Sequence, residues 1–316
     1  MGVVLAGKGK MLAAMIESCV SNGIKISGVL RYETVNSPFF KRLFGEIFMN
    51  FPDKILVDKY KLLDIKVKSI NSTQFKDFLI KNNVGILIVG TWGEKISEDI
   101  INTPVIASVN IHPSLLPKYR GPNPYIEVIL NGEKETGVTI HLLDKNYDSG
   151  CILAQEKIQI SNTDTSDDLR NKVIYKAKEI LPKLLNEMEE GLVIPVKQNE
   201  AEATYYPLKK FDNIIDFTSL TSSEIIRLVK ALHPWIPCYI KAKWGMYLRI
   251  NPYKIAIKDY VGDEFAGQLL QDYSFKDRLT IVCADGVPLE MCSLKLYPKF
   301  LAPLSKIVDM RMFVKY

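Results

Sequence analysis

Metal and disulfide chemistry have little to work with in this chain, whose 316 residues include five cysteines and three histidines. The cysteines, at positions 19, 151, 238, 283 and 292, are odd in number and lack the paired spacing of a zinc site or a disulfide framework. They read as reduced, mostly buried thiols, and no metal is expected. No apolar run approaches the roughly 20 residues of a membrane-spanning helix. The opening Gly2-Val3-Val4-Leu5-Ala6-Gly7 is too short and too early for a signal peptide, so a cytosolic enzyme is expected. Runs of one charge are also missing. The net +5 lies wholly in the C-terminal third: from Tyr205 onward there are 16 Lys and Arg against 11 Asp and Glu, which leaves 25 of each from the totals of 41 and 36. A basic excess of that size suits an RNA partner, or simply a solvated face. The glycine loop Gly7-Lys8-Gly9-Lys10 lacks the third glycine of a dinucleotide fingerprint and the spacing of a P-loop. It reads as a tight strand-to-helix turn, or as backbone N–H groups and Lys8 approaching a substrate phosphate.

What is present is a globular composition, 47% hydrophobic and 24% charged, enough for one large or two ordinary domains. Strand patterns at 3–6, 26–30, 65–68, 86–89 and 105–109 alternate with helical patterns at 11–20, 73–81 and near 97–101. Repeated strand–helix units predict an α/β fold with a mostly parallel sheet covered by helices on both faces. Sites in such sheets lie beyond the strand C-termini, where Gly90-Thr91-Trp92-Gly93 and Asn110-Ile111-His112 both fall. After a strand at 151–158, Ser161 to Asp168 signals the start of a long helix running toward Glu190. Pro195 to Glu202 reads as a surface crossing. Short apolar runs at 268–270, 279–283 and 289–296, with a turn at Asp285-Gly286, predict a small β domain at the end.

The most specific run is Asn110-Ile111-His112-Pro113-Ser114-Leu115-Leu116-Pro117-Lys118-Tyr119-Arg120-Gly121-Pro122. Asn110 and His112, two apart on a strand, share one face. A second segment supplies Asp148 in a Tyr147-Asp148-Ser149-Gly150 turn. The alternatives are ordinary: Asp148 in an Asx turn closed by Gly150, with Asp144 as the competing carboxylate near His141. His141 reads as a sheet residue and His233, before Pro234-Trp235, as part of a hinge or core turn.

Asn110, His112, Asp148 and the Ser-Leu-Leu-Pro stretch resemble the 10-formyltetrahydrofolate-dependent formyltransferases. Ala203-Thr204-Tyr205, Ile215-Asp216-Phe217, the helix at 223–232 and Pro234-Trp235 extend the resemblance toward the methionyl-tRNA formyltransferase branch. The resemblance implies a Rossmann-type catalytic domain at 1–195, a linker at 196–207 and a small open β-barrel-like domain at 208–316. Moving a formyl group between nitrogens passes through an oxyanionic tetrahedral intermediate. Asn110 suits the donor to that oxygen, His112 the base and Asp148 the carboxylate that stabilises the imidazolium.

For the formyl donor the resemblance implies 10-formyltetrahydrofolate, with its pterin near Gly90, Thr91, Trp92, Leu116 and Tyr147. Trp92 is a ring-stacking wall or simple core packing. For the acceptor, two branches compete. The tRNA branch carries a basic, glycine-rich loop after its second strand, whereas this chain has Ser37-Pro38-Phe39-Phe40-Lys41-Arg42-Leu43-Phe44-Gly45 there. Aromatics with a few cations suit a nucleotide-linked amino sugar, so Lys8, Arg31, Phe39, Phe40 and Arg42 are the expected substrate contacts. Initiator tRNA is the alternative acceptor, and a binding or regulatory homologue without activity is a third possibility.

Overall fold

Every residue of β1 (Gly2–Gly7) and β3 (Val84–Gly90) is buried, as a strand covered on both faces requires. The computed structural model describes residues 1–32, 51–260, 262, 264–270 and 278–297. β1 pairs in parallel with β2 (Ile26–Arg31) and with β3, and β3 in parallel with β4 (Ala107–His112). β5 (Glu135–Leu142) runs antiparallel to β4, and β6 (Ile152–Gln159) antiparallel to β5. The order is β2-β1-β3-β4-β5-β6, a mostly parallel sheet as the sequence predicts.

Helices cover this sheet by burying one face each. α1 (Gly9–Ser21) buries Met11, Leu12, Met15, Ile16 and Cys19. α2 (Pro52–Lys59) starts on a proline, which is pre-set for a first helical turn. α3 (Thr73–Lys81) is capped by the Ser72 hydroxyl, which accepts from the Phe75 amide, and places Phe75 and Leu79 against Val4, Leu30, Leu87 and Val89. α4 (Glu98–Ile101) adds Ile100 to the same core.

Two expected strands differ in the structure. Residues 65–68 form no strand: pairing with β2 ends at one bridge between Asp64 and Val29, and beyond the buried Ile65 the exposed Lys66 and Lys68 flank a half-buried Val67. β4 begins at Ala107 rather than Val105, whose side chain is exposed. Helices α2 and α5 (Pro124–Leu130) fall in proline-bearing stretches that carry no periodic signal.

The chain divides into two compact units, residues 1–124, 135–159 and 170–207 in the first and 125–134, 160–169 and 208–316 in the second. Pro195 to Glu202 belongs with the first unit: Val196 bridges Ile152 beside the sheet. α6 (Ser166–Glu189) begins where expected, with Asp168 and Thr165 bonded to each other's backbone amides. In the second unit, α7 (Ser222–Leu232) opens on a Thr221–Glu224 capping box. Two small antiparallel sheets follow, one from β7 (Tyr239–Lys241), β8 (Tyr247–Arg249) and β12 (Lys295–Tyr297), the other from β9 (Ile255–Ile257), β10 (Leu279–Val282) and β11 (Pro288–Met291). All five cysteines are free thiols, and no described helix is long and apolar enough to cross a membrane.

Candidate active site

Alternation along β4 sends Asn110 and His112 to the same side, and β5, paired with it, brings His141 opposite Asn110. The turn after β5 places Asp148 among them. The Asp148 Oδ1 atom lies 3.4 Å from His112 Nδ1, 3.5 Å from Asn110 Nδ2 and 3.7 Å from His141 Nε2. Its other oxygen, Oδ2, accepts a hydrogen bond from the Gly121 amide at 2.9 Å. The expected trio of Asn110, His112 and Asp148 therefore meets in space, with His141 as a fourth member.

Hydrogen-bond partners assign the protons. His141 Nδ1 donates to the Leu142 carbonyl at 2.8 Å, so its Nε2 carries the lone pair that accepts from Asn110 Nδ2 at 3.2 Å. One Asn110 N–H is thereby used; the other has only the long 3.5 Å approach to Asp148 and remains available to a developing oxyanion. His112 Nε2 donates to the Tyr119 carbonyl at 2.9 Å, which leaves Nδ1, the atom facing Asp148, as the basic nitrogen.

Burial pushes the His112 pKa below its ordinary value, against the opposing pull of the Asp148 charge. Burial would raise the Asp148 carboxyl, yet the pull of the positive charge that His112 carries when protonated and the hydrogen bond from the Gly121 amide outweigh it and hold Asp148 at about 2. At neutral pH the pair is thus a neutral imidazole beside a carboxylate. A proton taken up at Nδ1 is stabilised at once by the carboxylate 3.4 Å away.

The 113–121 loop is fixed by Thr139 and Gln155 of β5 and β6. Thr139 Oγ1 donates to the Ser114 carbonyl at 2.6 Å and accepts from the Leu116 amide at 3.2 Å, while Gln155 Nε2 donates to the Leu116 carbonyl at 2.9 Å. At its end Gly121 has φ 118°, and a Cβ there would sit 2.2 Å from the Tyr206 carbonyl oxygen. Only glycine fits where the chain turns to offer its amide to Asp148.

Of the expected folate contacts, Leu116 is buried, Tyr147 is exposed with Lys95 over its ring, and Thr91 has φ 61°. Gly90 ends β3 against Gly7: a Cβ on Gly7 would lie 2.2 Å from the Gly90 oxygen. Trp92 is half-buried, packs against the core beneath α3 and meets Tyr32 edge-on at 5.0 Å; its Nε1 is buried without a hydrogen-bond partner among the described residues.

The expected acceptor contacts separate. Lys8 follows β1 with its Nζ 4.9 Å from the Tyr32 ring centroid, so Lys8, Tyr32 and Trp92 lie just beyond the C-terminal ends of β1, β2 and β3. Arg31 is corrected: it is 1% exposed, and its guanidinium faces Asp64 at 3.4 Å and Asp53 at 4.0 Å, which makes it a buried charge partner rather than a substrate contact. Phe39, Phe40 and Arg42 lie outside the described residues. Asp144 accepts from Ser149 Oγ and the Asn146 amide, an Asx turn with no part in the trio. His141 is hidden in the sequence because a histidine on an apolar strand looks like packing, and its pairing with Asn110 follows only from the β4–β5 register.

A family model described as formyl transferase matches residues 1–185. The chain is 36% identical over 217 residues to the methionyl-tRNA formyltransferase of Caldanaerobacter subterraneus subsp. tengcongensis, spanning 68% of each chain. Among solved structures it is similar to the N-formyltransferase from Helicobacter canadensis in complex with folinic acid and dTDP-3-aminofucose (TM-score 0.68, 20% identity, 92% of this chain and 99% of that one). It is also similar to WlaRD, a sugar 3N-formyl transferase (TM-score 0.66, 20% identity, 95% and 98%). With a family match over more than half its length and a 36% identical relative over 68% of it, this chain belongs to the formyl transferase family.

Proposed function

We propose that this formyltransferase, acting in the cytosol, takes the formyl group of 10-formyltetrahydrofolate and delivers it to the amine of a nucleotide-linked amino sugar. The observation that carries formyl transfer is the convergence of Asn110, His112 and Asp148, with the carboxylate anchored by the Gly121 amide. The acceptor amine attacks the formyl carbon, and the C–N bond to folate breaks after a tetrahedral intermediate. The second Asn110 N–H stabilises the oxyanion. His112 Nδ1 takes the proton that the attacking amine loses, and the Asp148–His112 pair returns it to the departing folate nitrogen.

Gly90, Thr91, Trp92, Leu116 and Tyr147 are the proposed folate contacts. The Trp92 Nε1 donor, buried and unsatisfied among the described residues, supports a polar ring edge nearby. For the acceptor, Lys8 beside Tyr32 supports an anionic, ring-bearing substrate. The run from Phe39 to Phe44, with three aromatics and little glycine, supports a sugar nucleotide over the phosphate-rich acceptor stem of tRNA. The Helicobacter canadensis protein, bound to dTDP-3-aminofucose, and WlaRD, a sugar 3N-formyl transferase, are each matched over nearly their whole length. A second reading, formylation of initiator methionyl-tRNA, has in its favour the 36% identical relative.

Purified protein incubated with 10-formyltetrahydrofolate, and separately with dTDP-linked amino sugars and charged initiator tRNA, tests both readings by mass spectrometry of the acceptor. A formylated sugar with unmodified tRNA is expected. Formylated tRNA alone establishes the second reading, and no formylation of either removes both.

A further inference from the structure

Asp148 sits at φ 55°, in the left-handed region where a residue bearing a Cβ costs on the order of 1 kcal/mol unless its surroundings fix it. What fixes it comes from far along the chain. Gln198, 5% exposed, donates from Nε2 to the Asp148 carbonyl at 2.9 Å and to the Gly150 carbonyl at 2.8 Å. Its Oε1 accepts from Arg120 Nε at 3.2 Å and Nη2 at 2.8 Å. Both amide hydrogens and the acceptor of this side chain are thus used. Arg120 also pairs with Glu200 at 2.7 Å, and the next amide, Gly121, holds the Asp148 carboxylate.

One carboxamide therefore joins the two loops whose relative position sets the 3.4 Å contact between Asp148 and His112. The 113–121 loop enters through Arg120, the Asp148 turn through its carbonyls. We propose that Gln198 is a positioning residue, which touches none of the three reactive side chains and sets where the Asp148 carboxylate lies. A displacement of about 1 Å at such a contact is enough to lower turnover about 100-fold. The kinetic part rests on the proposed formyl transfer; the titration part does not.

The test uses the full chain carrying Gln198→Met, which keeps the length and apolar bulk and removes the four hydrogen bonds, with Gln198→Glu as the second variant. The Glu side chain keeps the acceptor for Arg120 and loses both donors to the carbonyls. The charged and titratable groups facing His112 are Asp148, His141 and Arg120, so His112 titration followed by NMR reads the carboxylate position directly. In Gln198→Met the His112 midpoint is expected to move to lower pH, because the carboxylate that favours the imidazolium has drifted away.

Turnover of formyl transfer is expected to fall 10- to 100-fold in both variants, with KM for the acceptor changed less than about threefold. In an Asp148→Asn background, adding Gln198→Met is expected to cost less than twofold, since the group it positions is gone. Three results overturn the proposal: a folded Gln198→Met with the parental His112 midpoint and turnover, losses that multiply with those of Asp148→Asn, or a Gln198→Met chain that cannot fold. An unsubstituted protein that formylates no acceptor sinks the formyl-transfer reading alone, because the NMR titration still decides the role of Gln198.

Discussion

His112 Nδ1 and Asp148 Oδ1 lie 3.4 Å apart, while the opposite ring nitrogen of His112 donates to the Tyr119 carbonyl at 2.9 Å. That arrangement leaves one basic nitrogen, points it at a carboxylate able to stabilise its proton, and fixes the tautomer from behind. Substituting His112 or Asn110 by alanine is expected to lower kcat by about 100-fold or more, through loss of the base or of the oxyanion donor. Circular dichroism should show an intact fold, and stopped-time formylation assays give the rate. Folded variants retaining parental turnover contradict these roles.

His141 meets Asn110 through Nε2 at 3.2 Å, so its effect on the proposed reaction is expected to run through Asn110. Replacing it with phenylalanine keeps the bulk of a fully buried ring but removes the Nε2 acceptor that orients the Asn110 amide at 3.2 Å. One neutral hydrogen bond of this kind contributes about 1 kcal/mol, so kcat is expected to fall about 5- to 10-fold. Unchanged kcat in a folded His141→Phe protein contradicts this.

Much of the site is legible in the amino-acid sequence. Asn110 and His112 stand two apart on a strand, and strand periodicity by itself puts them on one face. Asp148 is visible through its turn, Tyr147-Asp148-Ser149-Gly150. Three things are not. The β4–β5 register, which makes a partner of His141, is a long-range pairing that local pattern does not encode. Arg31 looks like a free cation at a strand end, although Asp53 and Asp64, from later segments, surround it. Gln198 lies in a polar stretch that reads as surface, yet its side chain is buried against Asp148 and Gly150. The 65–68 strand fails for the opposite reason: its alternation is real, but it finds one bridge and no continuing neighbour.

Arg31→Met separates a structural cation from a substrate contact. It strips the guanidinium from Asp53 and Asp64, the former fully buried with its carboxyl already pushed up by burial. Loss of one member of a buried charge pair costs on the order of 3 kcal/mol. A lower Tm with an unchanged acceptor KM is therefore expected; a KM increase without loss of Tm restores Arg31 to the substrate site.

Acid should weaken the fold through the same pair that is proposed to serve catalysis. His112 and Asp148 both bind protons less readily folded than unfolded, so the stability they contribute is complete at neutral pH and falls as pH drops. The His112 share begins to go below about pH 6.5, its unfolded value, and is lost as pH passes its lower folded value. The Asp148 share, on the order of 2 kcal/mol at neutral pH, goes between the unfolded value of 3.8 and about 2. Tm measured against pH should decline in that order, and His112→Gln should flatten the upper part alone. A Tm that rises between about pH 7 and 5 contradicts the assigned directions.

Gly121→Ala tests the anchor on Asp148 Oδ2. Its Cβ would press on the Tyr206 carbonyl at 2.2 Å, and φ 118° is a conformation that alanine resists. A loss of about 2 kcal/mol or more in stability is expected, together with reduced turnover as the amide shifts from the carboxylate. Parental Tm and kcat contradict it.

Formyl transfer through Asn110, His112 and Asp148 is decided by mixing the protein and its His112→Ala, Asn110→Ala and Asp148→Asn variants with 10-formyltetrahydrofolate and amino-sugar nucleotides or charged initiator tRNA, and following the acceptor by mass spectrometry. The unsubstituted protein should formylate one acceptor, with each variant slower by about 100-fold. Equal rates for all four proteins, or no transfer from formyl folate by the unsubstituted protein, would show that these three side chains do not carry the reaction.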